Sequence, residues 1–412
     1  MRRPALLALF ATLTLLFAGP VQAQFPVKDG DRVLFLGDSI TEQYQYSTDI
    51  ELYLTTRFPQ WRLSFVNAGI SGDRAVGGAG RFAGHVLAEQ PTFITINFGM
   101  NDAGYGAFNP GLQKEFLDNT RKMLIAAKEK NVRVALLSPN AVDRRIQERF
   151  KLYVETQKEF YAPLAGLAME HGALFVDQYA ITRAAVEKME ADKAEKVIPY
   201  YDGFHTASPG GLLMSHAILT GLKAPALVSE VTVRIGSDTA ETKNCVVSGL
   251  ATRKDFVTFT REDRALPLPV QQDWVTLLPS VNDLNDLNQY TLSVKGLDDF
   301  DYEIRVDGEL IAVRSAMQLA LGTNLGNLTE GPIHAQGQQV FAAINEKNQL
   351  LHRRFREVVM FNIPNWLADI GTERKEQELK KRWAEISERQ AKIYELAQPK
   401  PRKWVLEAKK PK

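Results

Sequence analysis

The sequence predicts an α/β fold, a parallel sheet covered by helices on both faces, extended by a small β-rich module and C-terminal helices. Three observations carry this. Between Arg32 and Leu222, five short runs rich in β-branched and aromatic residues recur. Longer stretches of helical periodicity separate them, and strand–helix alternation builds a parallel sheet with its crossovers packed on both faces. Near Ala224-Pro225 the alternation gives way to short period-two segments.

Taken in order, the chain opens with Arg2-Arg3, the apolar run Leu6 to Phe17 and small residues at Val21-Gln22-Ala23. That pattern reads as a signal peptide, residues 1–23, cleaved after Ala23. The strands are expected at Arg32–Leu36, Leu63–Ala68, Phe93–Phe98, Arg133–Leu137 and Ala173–Asp177, with helices such as Asn109–Lys130 and Arg145–His171 between them. Residues 229–315 carry alternating segments starting at Glu230, Asp255, Tyr290 and Tyr302, and Asp307-Gly308 signals a hairpin. Helical periodicity returns through Ala335–Val359 and Thr372–Ala397, where Leu379, Trp383, Ile386 and Ile393 form one apolar stripe that docks onto the body. Pro399–Lys412 is rich in Lys and Arg and reads as a solvated basic tail.

Composition narrows the function classes. The chain has 412 residues, 45% hydrophobic and 24% charged, enough for one large domain and a smaller one or two. Its formal charge of +1 is no nucleic-acid footprint. No segment after the signal peptide reaches the ~18 apolar residues of a transmembrane helix. The expected location is therefore periplasmic or extracellular. The only cysteine, Cys245, allows no intrachain disulfide and reads as a buried thiol. No His, Cys, Asp or Glu cluster has metal-ligand spacing, so no metal or other cofactor is expected.

Open parallel sheets place their sites in loops at the carboxyl ends of strands. Those positions hold Gly37-Asp38-Ser39, Asn67-Ala-Gly-Ile-Ser-Gly72-Asp73 and Gly99-Met-Asn101-Asp102, and Asp202-Gly-Phe-His205 precedes the last helix of the region. Each block alone could be a turn or a helix cap. Together they supply what acyl transfer needs. A serine hydroxyl is a poor nucleophile until a base takes its proton, which His205 can do for Ser39. Asp202, three residues earlier, can orient the imidazole and stabilise its charged form. The tetrahedral intermediate needs preorganised donors, which the backbone N–H groups of Ser39 and Gly72 and the side-chain amide of Asn101 can provide.

These four blocks, in this order, resemble the SGNH (GDSL-type) hydrolases over about residues 31–222. The resemblance implies a flavodoxin-like three-layer α/β/α sandwich. It also implies Ser39 as nucleophile, Gly72 and Asn101 as oxyanion residues with the Ser39 N–H, Asp202 as orienting carboxylate and His205 as base, with no metal. Ile40 and Thr206 depart from the commonest family pattern without removing a catalytic group. The domains then read as signal peptide 1–23, hydrolase domain 24–227, β-rich accessory module 228–330 and C-terminal helical region with basic tail 331–412.

The expected activity is that of an exported serine esterase deacylating, or deacetylating, a carbohydrate. The alternatives are a lipase or thioesterase of the same fold and a catalytically idle glycan-binding protein. The partner is an acylated small molecule or polysaccharide, and the oligomeric state is open. Aromatic residues near the blocks, Tyr44, Tyr105 and Phe204, are candidate substrate-binding residues, because aromatic faces suit sugar rings as well as loop packing.

Overall fold

The structure is a computed structural model that describes residues 25–192 and 197–409. The signal peptide expected at residues 1–23 lies outside them. Five strands, β1 (Arg32–Gly37), β2 (Ser64–Gly69), β3 (Phe93–Asn97), β4 (Arg133–Leu137) and β5 (Leu174–Val176), form a parallel sheet in the order β2-β1-β3-β4-β5. Val33, Leu34, Phe35 and Leu36 of β1 are all buried, as a continuous apolar run in a doubly covered strand requires. The strand order reverses between β1 and β3, and a crevice opens at such a switch point beyond the strand ends. There Gly37 lies in register with Gly69 on one side and Asn97 on the other.

The crossovers contain α1 (Ser39–Glu42), α2 (Gln45–Arg57), α3 (Ala75–Arg81), α4 (Pro110–Glu129), α5 (Phe150–Tyr161), α6 (Leu164–His171), α7 (Gln178–Ala191) and α8 (Ser208–Gly221). Asn109 caps α4, its side chain accepting from the N–H groups of Gly111 and Leu112, with Pro110 in the first helical position. The single helix expected over Arg145–His171 is two helices. Residues 144–149 stay irregular, and Pro163, which has no N–H to donate, marks the break between α5 and α6.

The second body contains β6 (Leu227–Arg234), β7 (Ala240–Lys243), β8 (Cys245–Arg253), β9 (Phe256–Asp263), β10 (Gln289–Lys295), β11 (Asp301–Val306), β12 (Glu309–Ser315), the short α9 (Ala316–Leu321) and β13 (Thr323–Asn324). A last strand, β14 (Arg402–Ala408), completes it. Its strands make two sheets, ordered β13-β10-β6-β7 and β12-β11-β14-β9-β8, and every pairing is antiparallel except β6 with β10. The Asp307-Gly308 hairpin has φ of 50° and 90°, the positive-φ pair that suits the twist of a two-residue turn.

The β14 strand corrects one expectation. Residues Arg402–Ala408 are not a solvated tail but a strand paired between β9 and β11. Trp404 and Leu406 are completely buried, while Lys403 and Glu407 face out. A period-two strand whose outward positions are charged looks like a charge run when only composition is counted.

The C-terminal helices α10 (Pro332–Arg354) and α11 (Ala368–Ala397) pack on the parallel-sheet body. Val340, Ile344, Ile393 and Tyr394 join its core, as do Trp274 and Leu277 from the 3₁₀ stretch Gln272–Leu284. A buried ion pair, Lys347 with Glu51, ties α10 to α2. Among the described residues no helix is long and apolar enough to cross a membrane.

Candidate active site

Ser39 stands at the start of α1, two residues beyond the end of β1. Asp38 caps that helix, its Oδ1 accepting from the Ile40 N–H at 2.9 Å. The loop can turn so sharply because of two glycines. A Cβ at Gly37 would come 2.1 Å from Thr41 Oγ1, and one at Gly69 would come 2.3 Å from the Glu42 nitrogen.

His205 reaches Ser39 from the loop before α8. Its Nε2 lies 2.7 Å from Ser39 Oγ, and its Nδ1 lies 2.7 Å from Asp202 Oδ2. The other oxygen of Asp202 accepts the N–H groups of His205 at 2.9 Å and Phe204 at 3.2 Å. Burial alone would raise the Asp202 carboxyl, but the hydrogen bonds from His205 and the two backbone groups hold it below the usual carboxylate range. Gly203, between the two residues, has φ of 103°, and a Cβ there would come 2.4 Å from Phe150 Cε2. The aspartate and histidine are thus held on one strained turn that only glycine fits.

Gly72 has φ of 76° and ample room around it, so backbone conformation rather than space calls for glycine. Asn101 follows β3 and donates one N–H of its amide to the Asp73 carbonyl at 3.0 Å. Its Oδ1 accepts from the Tyr105 hydroxyl at 2.7 Å, which fixes the amide's orientation. A primary amide has two N–H donors, so one remains for the cleft.

Ser39, Gly72, Asn101, Phe204 and His205 line one open cleft together with Glu42, Gln43, Ser71, Tyr201, His352 and Arg356. Asp202 stands behind His205. Two of the expected substrate-binding residues are not on the cleft wall. Tyr105 packs on Phe204 and Tyr153 and holds Asn101. Tyr44 sits with its ring edge against His352 at 5.9 Å. Both have positive φ, 59° and 64°, which aims their side chains differently from an ordinary loop residue. Tyr201 lines the cleft instead, its ring stacked 5.9 Å from that of His205. His352 and Arg356 come from the C-terminal helices, and no local pattern in the sequence points from them to Ser39.

Asp38 and Asp102 are buried behind the serine. Burial, with Asp102 and Asp73 nearby, raises Asp38 to about 7 even though the Ile40 N–H opposes it. Asp102 is raised by burial to about 6 while it accepts from the N–H groups of Ala75 and Gly99. Both hold loops and neither faces the cleft.

The family described as GDSL-like Lipase/Acylhydrolase matches residues 35–206, the span from β1 through His205. The Escherichia coli (strain K12) protein "Thioesterase 1/protease 1/lysophospholipase L1" is 30% identical over 149 residues, 35% of this chain and 71% of that protein. The chain belongs to the GDSL-like lipase/acylhydrolase family. It is a hydrolase of ester bonds. A second relative of this acylhydrolase, the acetylxylan esterase of Geobacillus stearothermophilus, is 22% identical over 214 residues, 47% of this chain and 94% of that one. The fold extends further. The structure of a gut microbial diltiazem-metabolizing enzyme superposes with a TM-score of 0.80 at 24% identity, covering 94% of this chain and 99% of that one. The acylhydrolase thus shares its overall architecture, β module and C-terminal helices included, with a solved protein.

Proposed function

We propose that this acylhydrolase forms an acyl-enzyme on Ser39 and removes acetyl or similar short acyl groups from a carbohydrate outside the cytoplasm. The observation that carries the reading is the continuous relay of 2.7 Å contacts from Ser39 through His205 to Asp202, opening on a cleft whose other side chains are mostly polar. His205 Nε2 takes the proton of Ser39 Oγ as the hydroxyl attacks the acyl carbon. The oxyanion that forms is met by the N–H groups of Ser39 and Gly72 and the free amide N–H of Asn101. His205 returns the proton to the leaving alkoxide, and water then releases the acyl group by the same route.

Gln43 and Ser71 around the serine suit a polyhydroxyl alcohol better than a long acyl chain, which needs a broad apolar groove. The likeness to an acetylxylan esterase supports the same choice. The reading takes 1–23 as the signal peptide that exports the chain and 24–227 as the hydrolase domain. The test is p-nitrophenyl ester hydrolysis from acetate to palmitate, followed by acyl release from acetylated polysaccharides. Acetate should be preferred, and Ser39→Ala and His205→Ala should abolish turnover. Preference for palmitate would move the enzyme to the lipase and thioesterase side of its family, and activity surviving in Ser39→Ala would end the nucleophile assignment.

A further inference from the structure

Two residues of the cleft wall take no part in the relay, and both belong to the C-terminal helices. His352 is in the last turn of α10, and Arg356 is in the π-helical turn Phe355–Val359 that continues it. Such turns inside helices recur at functional sites. Both side chains reach one carboxylate. Glu42 Oε1 lies 3.4 Å from His352 Nε2 and 3.3 Å from Arg356 Nε. The other oxygen, Oε2, lies 2.6 Å from both the backbone nitrogen and the hydroxyl of Ser71. Among the described residues these are the hydrogen bonds that tether Ser71, the neighbour of Gly72. Burial would raise the Glu42 carboxyl, but the bonds from Ser71 and His352 and the charge of Arg356 hold it below its ordinary value.

We propose that Glu42, braced by His352 and Arg356, is a positioning residue that sets the Ser71-Gly72 turn so that the Gly72 N–H meets the oxyanion. This rests on Gly72 serving as an oxyanion donor. No hydrogen bond takes up the Gly72 N–H among the described residues, and beyond its chain neighbours nothing lies within 4 Å of where its Cβ would be. The Asp73 N–H closes the turn on the Ile70 carbonyl at 3.1 Å, and the Glu42 contacts fix its Ser71 corner, so the aim of the Gly72 N–H depends on both. A donor that drifts by a fraction of an ångström loses much of its effect on the transition state and little of its effect on substrate binding. The helix that carries the brace lies outside the family match at residues 35–206, so an appended element completes the catalytic centre.

The test compares the parent chain with Glu42→Gln, Arg356→Met and Arg356→Lys on p-nitrophenyl acetate. In Glu42→Gln the new amide can offer its one oxygen to Ser71, but it then turns its NH₂ toward the Arg356 and His352 donors. Glu42→Gln and Arg356→Met should each lower kcat by roughly tenfold, a fraction of what losing a whole oxyanion donor does. KM should stay within about twofold and the melting temperature should be unchanged, since the lost interaction matters in the transition state. Arg356→Lys, which keeps the charge, should recover most of the loss. A kcat within about twofold of the parent in Arg356→Met, or a loss confined to KM or to melting temperature, overturns the proposal. Arg356 is 42% exposed, so its variants fold whatever happens in Glu42→Gln. Ser39→Ala run in parallel separates the two failures. Activity there would remove the reading beneath, whereas its loss together with unaffected Arg356→Met and Glu42→Gln would remove only the brace.

Discussion

Replacing Asp202 with asparagine tests the relay at its most specific point. Asp202 Oδ1 accepts two backbone N–H groups, at 2.9 and 3.2 Å, and a side-chain NH₂ cannot take that place. The asparagine must therefore keep its carbonyl oxygen there and present its NH₂ to His205 Nδ1, where Oδ2 stood at 2.7 Å. Nδ1 then has to accept, and the imidazole proton moves to Nε2. That nitrogen can no longer take the Ser39 proton across its 2.7 Å contact. The expected loss in kcat is about ten-thousandfold, equivalent to roughly 5 kcal/mol of transition-state stabilisation. The assay is p-nitrophenyl acetate hydrolysis under saturation, with thermal unfolding as control. Both backbone hydrogen bonds survive the change, so the melting temperature should hardly move. A variant that keeps more than about a tenth of the parent kcat would refute the tautomer argument and the assignment of Asp202 with it.

Other consequences can be checked in the same preparations. Asp38, raised to about 7, keeps in the folded chain a proton that the unfolded chain releases above about pH 4, so it weighs increasingly against folding as pH rises through this window. Asp38→Asn can retain the helix cap and should raise the melting temperature more at pH 8 than at pH 5; an equal shift at both would argue against the raised carboxyl. Lys347→Met strands Glu51, 2% exposed, without its cation. It should cost ~3–5 kcal/mol in urea unfolding, most of which Glu51→Leu should restore in the double variant. A single-variant cost near zero would mean water reaches the pair. Trp404→Ala, in the middle of its sheet, should cost ~3–5 kcal/mol and lower the melting temperature; no measurable change would return residues 402–408 to the status of a tail.

Among the parallel strands β1 and β4 were the most legible, because strands buried on both faces read as unbroken apolar runs such as residues 33–36 and 134–137. The C-terminal strand was not, because Lys403 and Glu407 occupy its outward positions and dilute the signal of Trp404 and Leu406. The segment 272–284 sits within the β-rich span in sequence yet packs Trp274 into the hydrolase core, a choice made by tertiary burial rather than local pattern. At the candidate site, Ser39, Gly72 and Asn101 stand out because strand ends are where such sheets place function, whereas Asp202 and His205 stand out as an Asp-x-x-His pair before the last helix. The sequence displays Tyr44 and Tyr105 as aromatic residues near the blocks, but not their positive φ or their packing against His352 and Phe204. His352 and Arg356 lie more than 300 residues from Glu42. Their approach depends on how α10 docks against α2, which no spacing along the chain encodes.

The position of β14 has a bearing on how the chain acquires its shape. Strands β8, β9, β11 and β12 are complete by Ser315, yet they remain two separate hairpins until Arg402–Ala408 arrives between them. The segment that joins them follows α10 and α11, so His352 and Arg356 of the cleft wall lie within the loop that this strand closes. Pairings across such separations are slow to form because their closure entropy is met before any contact rewards it. During synthesis the parallel sheet can assemble early, whereas the sheet that β14 joins waits for Arg402–Ala408 to appear. Two open hairpin edges are exposed in that interval, and their pairing with other nascent chains is the misfolding hazard this topology carries.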